Sequence, residues 1–136
     1  MKILLDDFAY PPSRAHNTDA GLDIRAAQGS VIPARGSAVF HTGIHCELPK
    51  GTAGLLVSKS GLNTKHGITS TGLIDEGYTG EIMVKLYNHS DIPYEVVEGD
   101  KISQLVIIKI DVPEIEIVDR LDRTERGNNG FGSSGK

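Results

Sequence analysis

Along most of the chain the apolar residues come in short runs, many alternating with polar ones, separated by Gly, Pro, Asn and Asp. A period of two marks a strand with one face buried. The alternation is clearest over residues 81–88. Ile82, Val84 and Leu86 fall on one face; Glu81, Met83, Lys85 and Tyr87 fall on the other. The pattern predicts strands over residues 2–5, 22–26, 30–32, 37–48, 52–57, 81–87, 94–97, 102–110 and 114–118, with a short apolar strand at 73–74. Residues 105–108 are apolar on both faces, so they need cover from a second sheet or another subunit. Helical periodicity is nearly absent; residues 61–66 are the one plausible helix. Many short, closely spaced strands predict an all-β sandwich or barrel. From Asp119 the pattern fades into DRLDRTERGNNGFGSSGK, first alternating acids and bases, then rich in glycine. Residues 1–118 therefore read as the folded body and 119–136 as a mobile arm.

Length and composition narrow this picture. A chain of 136 residues favours one domain, and a domain of that size buries enough surface to need no staples. With no Trp, three Phe and four Tyr, the core must be aliphatic. The net charge of -4 argues against a broad nucleic-acid surface, though a local cluster of cations can still hold a phosphate. The single cysteine, Cys46, excludes an internal disulfide and a multi-cysteine metal site. No signal-peptide pattern or membrane-length apolar run is visible, which predicts a soluble, cytoplasmic protein without a membrane partner. His41 and His45 lie in a strand pattern, where four residues span about 13 Å, too far to share an ion. Cys46 follows His45 and points to the opposite face, so it reads as a small buried side chain.

Four segments carry candidate chemistry. In GLIDEGYTGE, Asp75 and Glu76 enter a glycine-flanked turn. Turn chemistry alone accounts for them; equally, an acid at a strand end can orient a water, with Tyr78 as a flat wall. In VSKSGLNTKHG, Ser58, Lys59, Ser60 and Gly61 precede the helix, as a plain cap or an anion site. In GDKISQL, Gln104 is the polar residue of an apolar run and faces solvent by default. In RGNNGFGSSGK, Arg126, Phe131 and two serines sit among four glycines. Alone it reads as disorder; a glycine-rich segment with hydroxyls can also wrap phosphate.

The order of these segments is more specific than any one of them. AGLDIRA (20–26), SKSGL (58–62), GLIDEGYTGE (72–81), GDKISQL (99–105) and RGNNGFGSSG (126–135) resemble the five ordered motifs of the trimeric dUTPases. The resemblance covers nearly the whole chain. It implies a jelly-roll-like β-barrel with one short helix and a flexible C-terminal arm, assembled as a homotrimer with active sites between subunits. It also implies hydrolysis of dUTP to dUMP and pyrophosphate with Mg²⁺ on the triphosphate, which supplies dUMP and keeps uracil out of DNA. By resemblance, Asp75 orients the attacking water and Tyr78 packs under the deoxyribose, excluding a 2′-hydroxyl. Lys59, Ser60, Gly61 and Gln104 match phosphate contacts, and Arg126 the arginine of the terminal phosphates. Phe131 matches the ring that stacks on uracil; Gly132, Ser133 and Ser134 match the phosphate-wrapping end of the arm. Asp23 stands at the acid that supports the metal region through water. The connection before Gly72 matches the hairpin that reads uracil, with Ser70, Thr71 and Gly72 as candidates beside Thr69.

Three positions depart from the family pattern. The usual Pro-Arg-Ser-Gly is Ser58-Lys59-Ser60-Gly61, and Lys101 replaces another arginine. Lysine keeps the charge and loses the bidentate fork. The alternatives are a dCTP deaminase-like enzyme or a regulatory nucleotide-binding protein on the same fold. RGNNGFGSSG argues against the first; Asp75 and the complete arm argue against the second.

Overall fold

The computed structural model describes residues 1–130, with ten strands and one helix among them. The strands are β1 Lys2–Leu5, β2 Gly21–Arg25, β3 Ser30–Ile32, β4 Ser37–Phe40, β5 Ile44–Glu47, β6 Thr52–Val57, β7 Ile68–Ile74, β8 Val84–Asn88, β9 Tyr94–Val96 and β10 Lys101–Lys109. Helix α1, Ser60–His66, lies between β6 and β7. Six strands form one sheet in the order β2-β10-β6-β7-β8-β4, and the pairs β1-β5 and β3-β9 complete a curled, jelly-roll-like body. Every pairing is antiparallel.

The core is aliphatic, as composition demands. Ile24, Ile32, Ile44, Ile68, Ile82, Val84, Leu86, Ile102 and Leu105 are fully buried around Phe40. Each contributes about 1.5–3 kcal/mol by leaving water. Ile82, Val84 and Leu86 face inward while Met83 and Tyr87 stay exposed, as the alternation predicts.

Several boundaries differ from the pattern reading. The predicted strand 37–48 is two strands, broken where Gly43 takes a φ of 64°. β8 begins at Val84, and Glu81 belongs to no strand, its only ladder contact being an isolated bridge to His45. The helix begins at Ser60, with Lys59 as a cap residue whose side chain makes no capping bond. It ends at Gly67, whose left-handed conformation returns its N–H to the last carbonyls. Among the described residues, 114–118 pair with no strand, and Ile115 and Ile117 are 91% and 95% exposed. An extended segment without a neighbouring strand has no ladder to join.

The largest difference is β7, predicted only at 73–74. Its first half, residues 68–70, pairs with β8, and its second half, 71–74, pairs with β6. The strand turns the corner of the sheet at Ser70. There, Ser58 Oγ accepts from the Ser70 N–H (2.9 Å) and donates to the Ser70 carbonyl (3.1 Å), continuing the β6 ladder by one side chain. The Ser70 hydroxyl meets the Ser103 hydroxyl at 2.8 Å, and Ser103 Oγ donates to the Val57 carbonyl at 3.0 Å. The three serines thus bind β6, β7 and β10 at one point. Ser58→Ala strips both partners from a buried backbone and is expected to cost about 1–2 kcal/mol. Urea denaturation measures this; an unchanged midpoint would mean the corner holds itself.

Candidate functional site

The first part of the site follows from strand register. Asp23 on β2 lies opposite Gln104 on β10, and Gln104 lies opposite Val57 on β6, so the three form one rung of the sheet. Lys59 comes two residues after Val57 and turns back over the rung. Both oxygens of the buried Asp23 are engaged: Oδ1 by Lys59 Nζ and, at 3.3 Å, by Gln104 Nε2; Oδ2 by Lys101 Nζ at 2.7 Å. Lys101 reaches this face because of a β-bulge. Residues 101 and 104 of a regular strand face opposite sides, but the β10 register slips between Lys101 and Ser103, which reverses the alternation. Gly21 makes room for Gln104: a β-carbon there would lie 3.1 Å from Gln104 Cβ.

Two ammonium groups around one carboxylate leave a net positive charge, suited to an anion. Burial pushes the Asp23 carboxyl up, but hydrogen bonds from Lys101 and Lys59 outweigh it and hold it below the usual carboxylate range. Such a group stabilises the fold above its unfolded pKa of about 3.9, and that stability is lost as pH falls through the lower folded value. Asp23→Asn is therefore expected to cost about 1–3 kcal/mol at pH 7, below the usual cost of breaking a buried pair because both lysines are partly solvated. The gap to the wild type should close below about pH 4. Urea midpoints at pH 7 and pH 3 check this; a constant gap would deny Asp23 the role.

Ser60 and Gly61 stand exposed at the start of α1. A β-carbon at Gly61 would meet nothing within 4 Å, so packing inside the subunit does not require glycine there. Ser70 is turned inward to Ser103, while Thr71 is exposed and Gly72 packs against Leu56.

The second part lies just past the end of β7. Asp75 is exposed, and Tyr78 donates from its hydroxyl to the Glu81 carbonyl at 2.9 Å. Glu76 is anchored, accepting from the Gly51 N–H at 2.6 Å. This anchor sits at the start of β6, whereas Lys59 follows its end. Thr71 pairs with Val57 and Ile74 with Gly54. Asp75 is four residues past Thr71 and Lys59 two past Val57, so they are separated by roughly 15–20 Å of strand. The two halves do not meet within one chain.

Among the described residues, 119–130 make no hydrogen bond to either half. Arg126 is exposed, and its Nε donates to the Asn129 carbonyl within its own turn. Phe131, Gly132, Ser133 and Ser134 lie outside the described residues. The remaining sequence candidates are structural. His41 contacts Glu81, and His45 the Thr79 carbonyl. Cys46 is buried, which pushes its thiol up and leaves it unreactive. The residue reading left Lys101 and Ser103 without roles. The odd spacing of Lys101 and Gln104 conceals their shared face, and nothing local marks Ser103 as buried.

A curled antiparallel β-body with an anion-suited lysine–carboxylate cluster and an exposed strand-end acid defines an anion-binding, jelly-roll-like β-protein. The dUTPase family model matches residues 9–135. The chain is 46% identical to the deoxyuridine 5'-triphosphate nucleotidohydrolase of Kluyveromyces lactis over 130 residues, 94% of this chain and 88% of the relative. It is 44% identical to that of Arabidopsis thaliana over 132 residues, 96% and 80% of the two chains. The Staphylococcus bacteriophage 80alpha dUTPase, solved with dUpNHpp, superposes with a TM-score of 0.88 at 32% identity, covering 99% of this chain and 98% of that one. A mutant dUTPase of S. aureus phage phi11, described as coordinating a structural Mg(II) ion, superposes at 0.80 with 33% identity, over 88% and 96%. This chain belongs to the dUTPase family.

Proposed function

We propose that this protein is a dUTP diphosphatase, hydrolysing dUTP to dUMP and pyrophosphate, and that its site is completed only between subunits of a homotrimer. Family membership supports the activity. The observation that carries the shared site is the separation of Asp75 from the Lys59–Asp23–Lys101 cluster along the same two strands. A second copy must bring its cluster to this copy's Asp75. Exposed Val39, Leu73 and Met83, and Ile115 and Ile117 of the unpaired segment, offer apolar surface for such contacts. Residues 1–118 then act as the body, with 111–118 lying on a neighbour, and 119–136 act as the closing arm.

In this reading Asp75 orients a water toward the α-phosphorus and takes its proton. The new P–O bond forms as the bond to the β-phosphate breaks, and pyrophosphate leaves. Lys59, Lys101, Gln104, the Ser60 hydroxyl and the backbone at Gly61 neutralise and position the phosphate oxygens. Asp23 spaces the two lysines. Arg126 adds a cation from the arm, Phe131 covers the base, and Gly132, Ser133 and Ser134 follow the phosphates. Tyr78 packs beneath the sugar. Thr71 and Gly72 line the base, and inward-facing Ser70 holds that strand in place.

No group of three or more His, Cys, Asp or Glu among the described residues could hold a metal ion. Asp23 is already occupied by its lysines. The chain therefore suits an Mg²⁺ ion carried on triphosphate oxygens, with Asp23 assisting only through water. Bound there, the ion would offset phosphate charge. No helix among the described residues is long and apolar enough to cross a membrane; a cytoplasmic location and no direct nucleic-acid partner complete the reading.

Pyrophosphate release from dUTP, dCTP, dTTP and UTP, each with Mg²⁺ or with EDTA, tests the proposal. Fast, Mg²⁺-dependent release from dUTP alone is expected. Equal turnover of dCTP would overturn the specificity, and dUTP binding without release would favour the regulatory alternative.

A further inference from the structure

We infer that Gly80 and Glu81 form a seat that positions the Tyr78 ring and so sets how strictly the protein separates deoxyribonucleotides from ribonucleotides. The inference rests on Tyr78 as the ring beneath the sugar. Tyr78 is 43% exposed, so core packing does not hold it. Gly80 lies directly under its outer end. A β-carbon at Gly80 would stand 2.5 Å from Tyr78 Oη and 2.6 Å from Cζ, which no side chain can tolerate without moving the ring. Gly80 is not among the positive-φ glycines. Its backbone does not call for glycine; the ring above it does.

Glu81 supplies the other half of the seat. Its backbone carbonyl accepts the Tyr78 hydroxyl at 2.9 Å. Its carboxylate is fastened to the turn between β4 and β5. Oε1 accepts from the Thr42 and Gly43 N–H groups at 3.0 and 2.9 Å, and Oε2 meets His41 Nδ1 at 2.8 Å. The next residue donates its N–H to the Ile44 carbonyl at 2.8 Å. Burial pushes the Glu81 carboxyl up, but Gly43, His41 and Thr42 together hold it below the usual carboxylate range, so the clamp is ionised at neutral pH. The carbonyl that grips Tyr78 is thus tied to the barrel, although the ring itself rides on an exposed turn. Excluding a 2′-hydroxyl is a steric decision made over a fraction of an ångström. A ring free to shift by about 1 Å loses it, since misplacements of that size change rates on the order of 10²-fold.

The test is the ratio of kcat/KM for dUTP to that for UTP, measured with melting temperature for Gly80→Ala, Glu81→Ala, Glu81→Gln and Tyr78→Ala. Gly80→Ala is expected to lower the ratio by about tenfold or more. Its melting temperature should stay near wild type, because the displaced atoms are the exposed end of one side chain, whose hydroxyl can bond water instead. Glu81→Ala should lower the ratio likewise. Glu81→Gln should retain most of it, because an amide oxygen still accepts both backbone N–H groups. A wild-type ratio in both Gly80→Ala and Glu81→Ala, with a lowered ratio in Tyr78→Ala, overturns the seat alone. An unchanged ratio in Tyr78→Ala overturns the sugar-facing reading of Tyr78 and the seat with it.

Discussion

Asp75→Asn is expected to lower kcat for dUTP on the order of 10²- to 10⁴-fold while dUTP binding and the proposed trimer persist. The asparagine keeps the size of the side chain and an oxygen in place. In the proposed mechanism it loses the charge that would orient the water and the basicity that would take its proton. Asp75 is exposed beyond the end of β7, so the change removes no buried contact. Fold and assembly therefore have no reason to fail. Single-turnover hydrolysis reports the chemical step, and titration with a non-hydrolysable dUTP analogue reports binding. A rate near wild type would place the base elsewhere. Lost binding would mean that Asp75 holds substrate rather than water.

Cutting the chain after Glu125 is the second large expected effect. It removes Arg126, Phe131, Gly132, Ser133 and Ser134 together. Arginines that meet transferred phosphates contribute on the order of 10³- to 10⁵-fold, so kcat/KM should fall by about 10³-fold or more. The body should keep its stability within about 0.5 kcal/mol. Residues 111–130 belong to no strand, and Arg126 bonds only within its own turn among the described residues. An arm of this kind is ordered at the expense of binding energy, which a full triphosphate can supply. Arg126→Ala separates the charge from the rest of the arm and should produce part of the loss. Full activity in the shortened chain would reduce the tail to a linker.

How much of this was legible depended on how local the signal was. Residues 2–5, 30–32 and 52–57 match β1, β3 and β6 to the residue, because Gly, Pro or polar turns bound each run. The inward set of β8 was readable from simple alternation. β7 was hidden because one inward position is a serine. Ser70 looks like loop chemistry until Ser103, thirty-three residues away, satisfies its hydroxyl. The strand predicted at 114–118 has the right pattern and no neighbouring strand among the described residues. Pattern reports which face wants burial and is silent on where the covering surface comes from.

By itself, the sequence determined the all-β class, the aliphatic core and the five ordered motifs that resemble the dUTPases. The first two are written in local period and composition, and the third in the residues of the motifs and their order along the chain. The tertiary structure decided which motifs meet. It joined the first, second and fourth through one sheet rung, with the β10 bulge turning Lys101 onto the face of Asp23. It also placed Asp75 and Lys59 at opposite ends of the paired strands β6 and β7. Register and bulges are set by contacts between distant residues, so no window along the chain contains them.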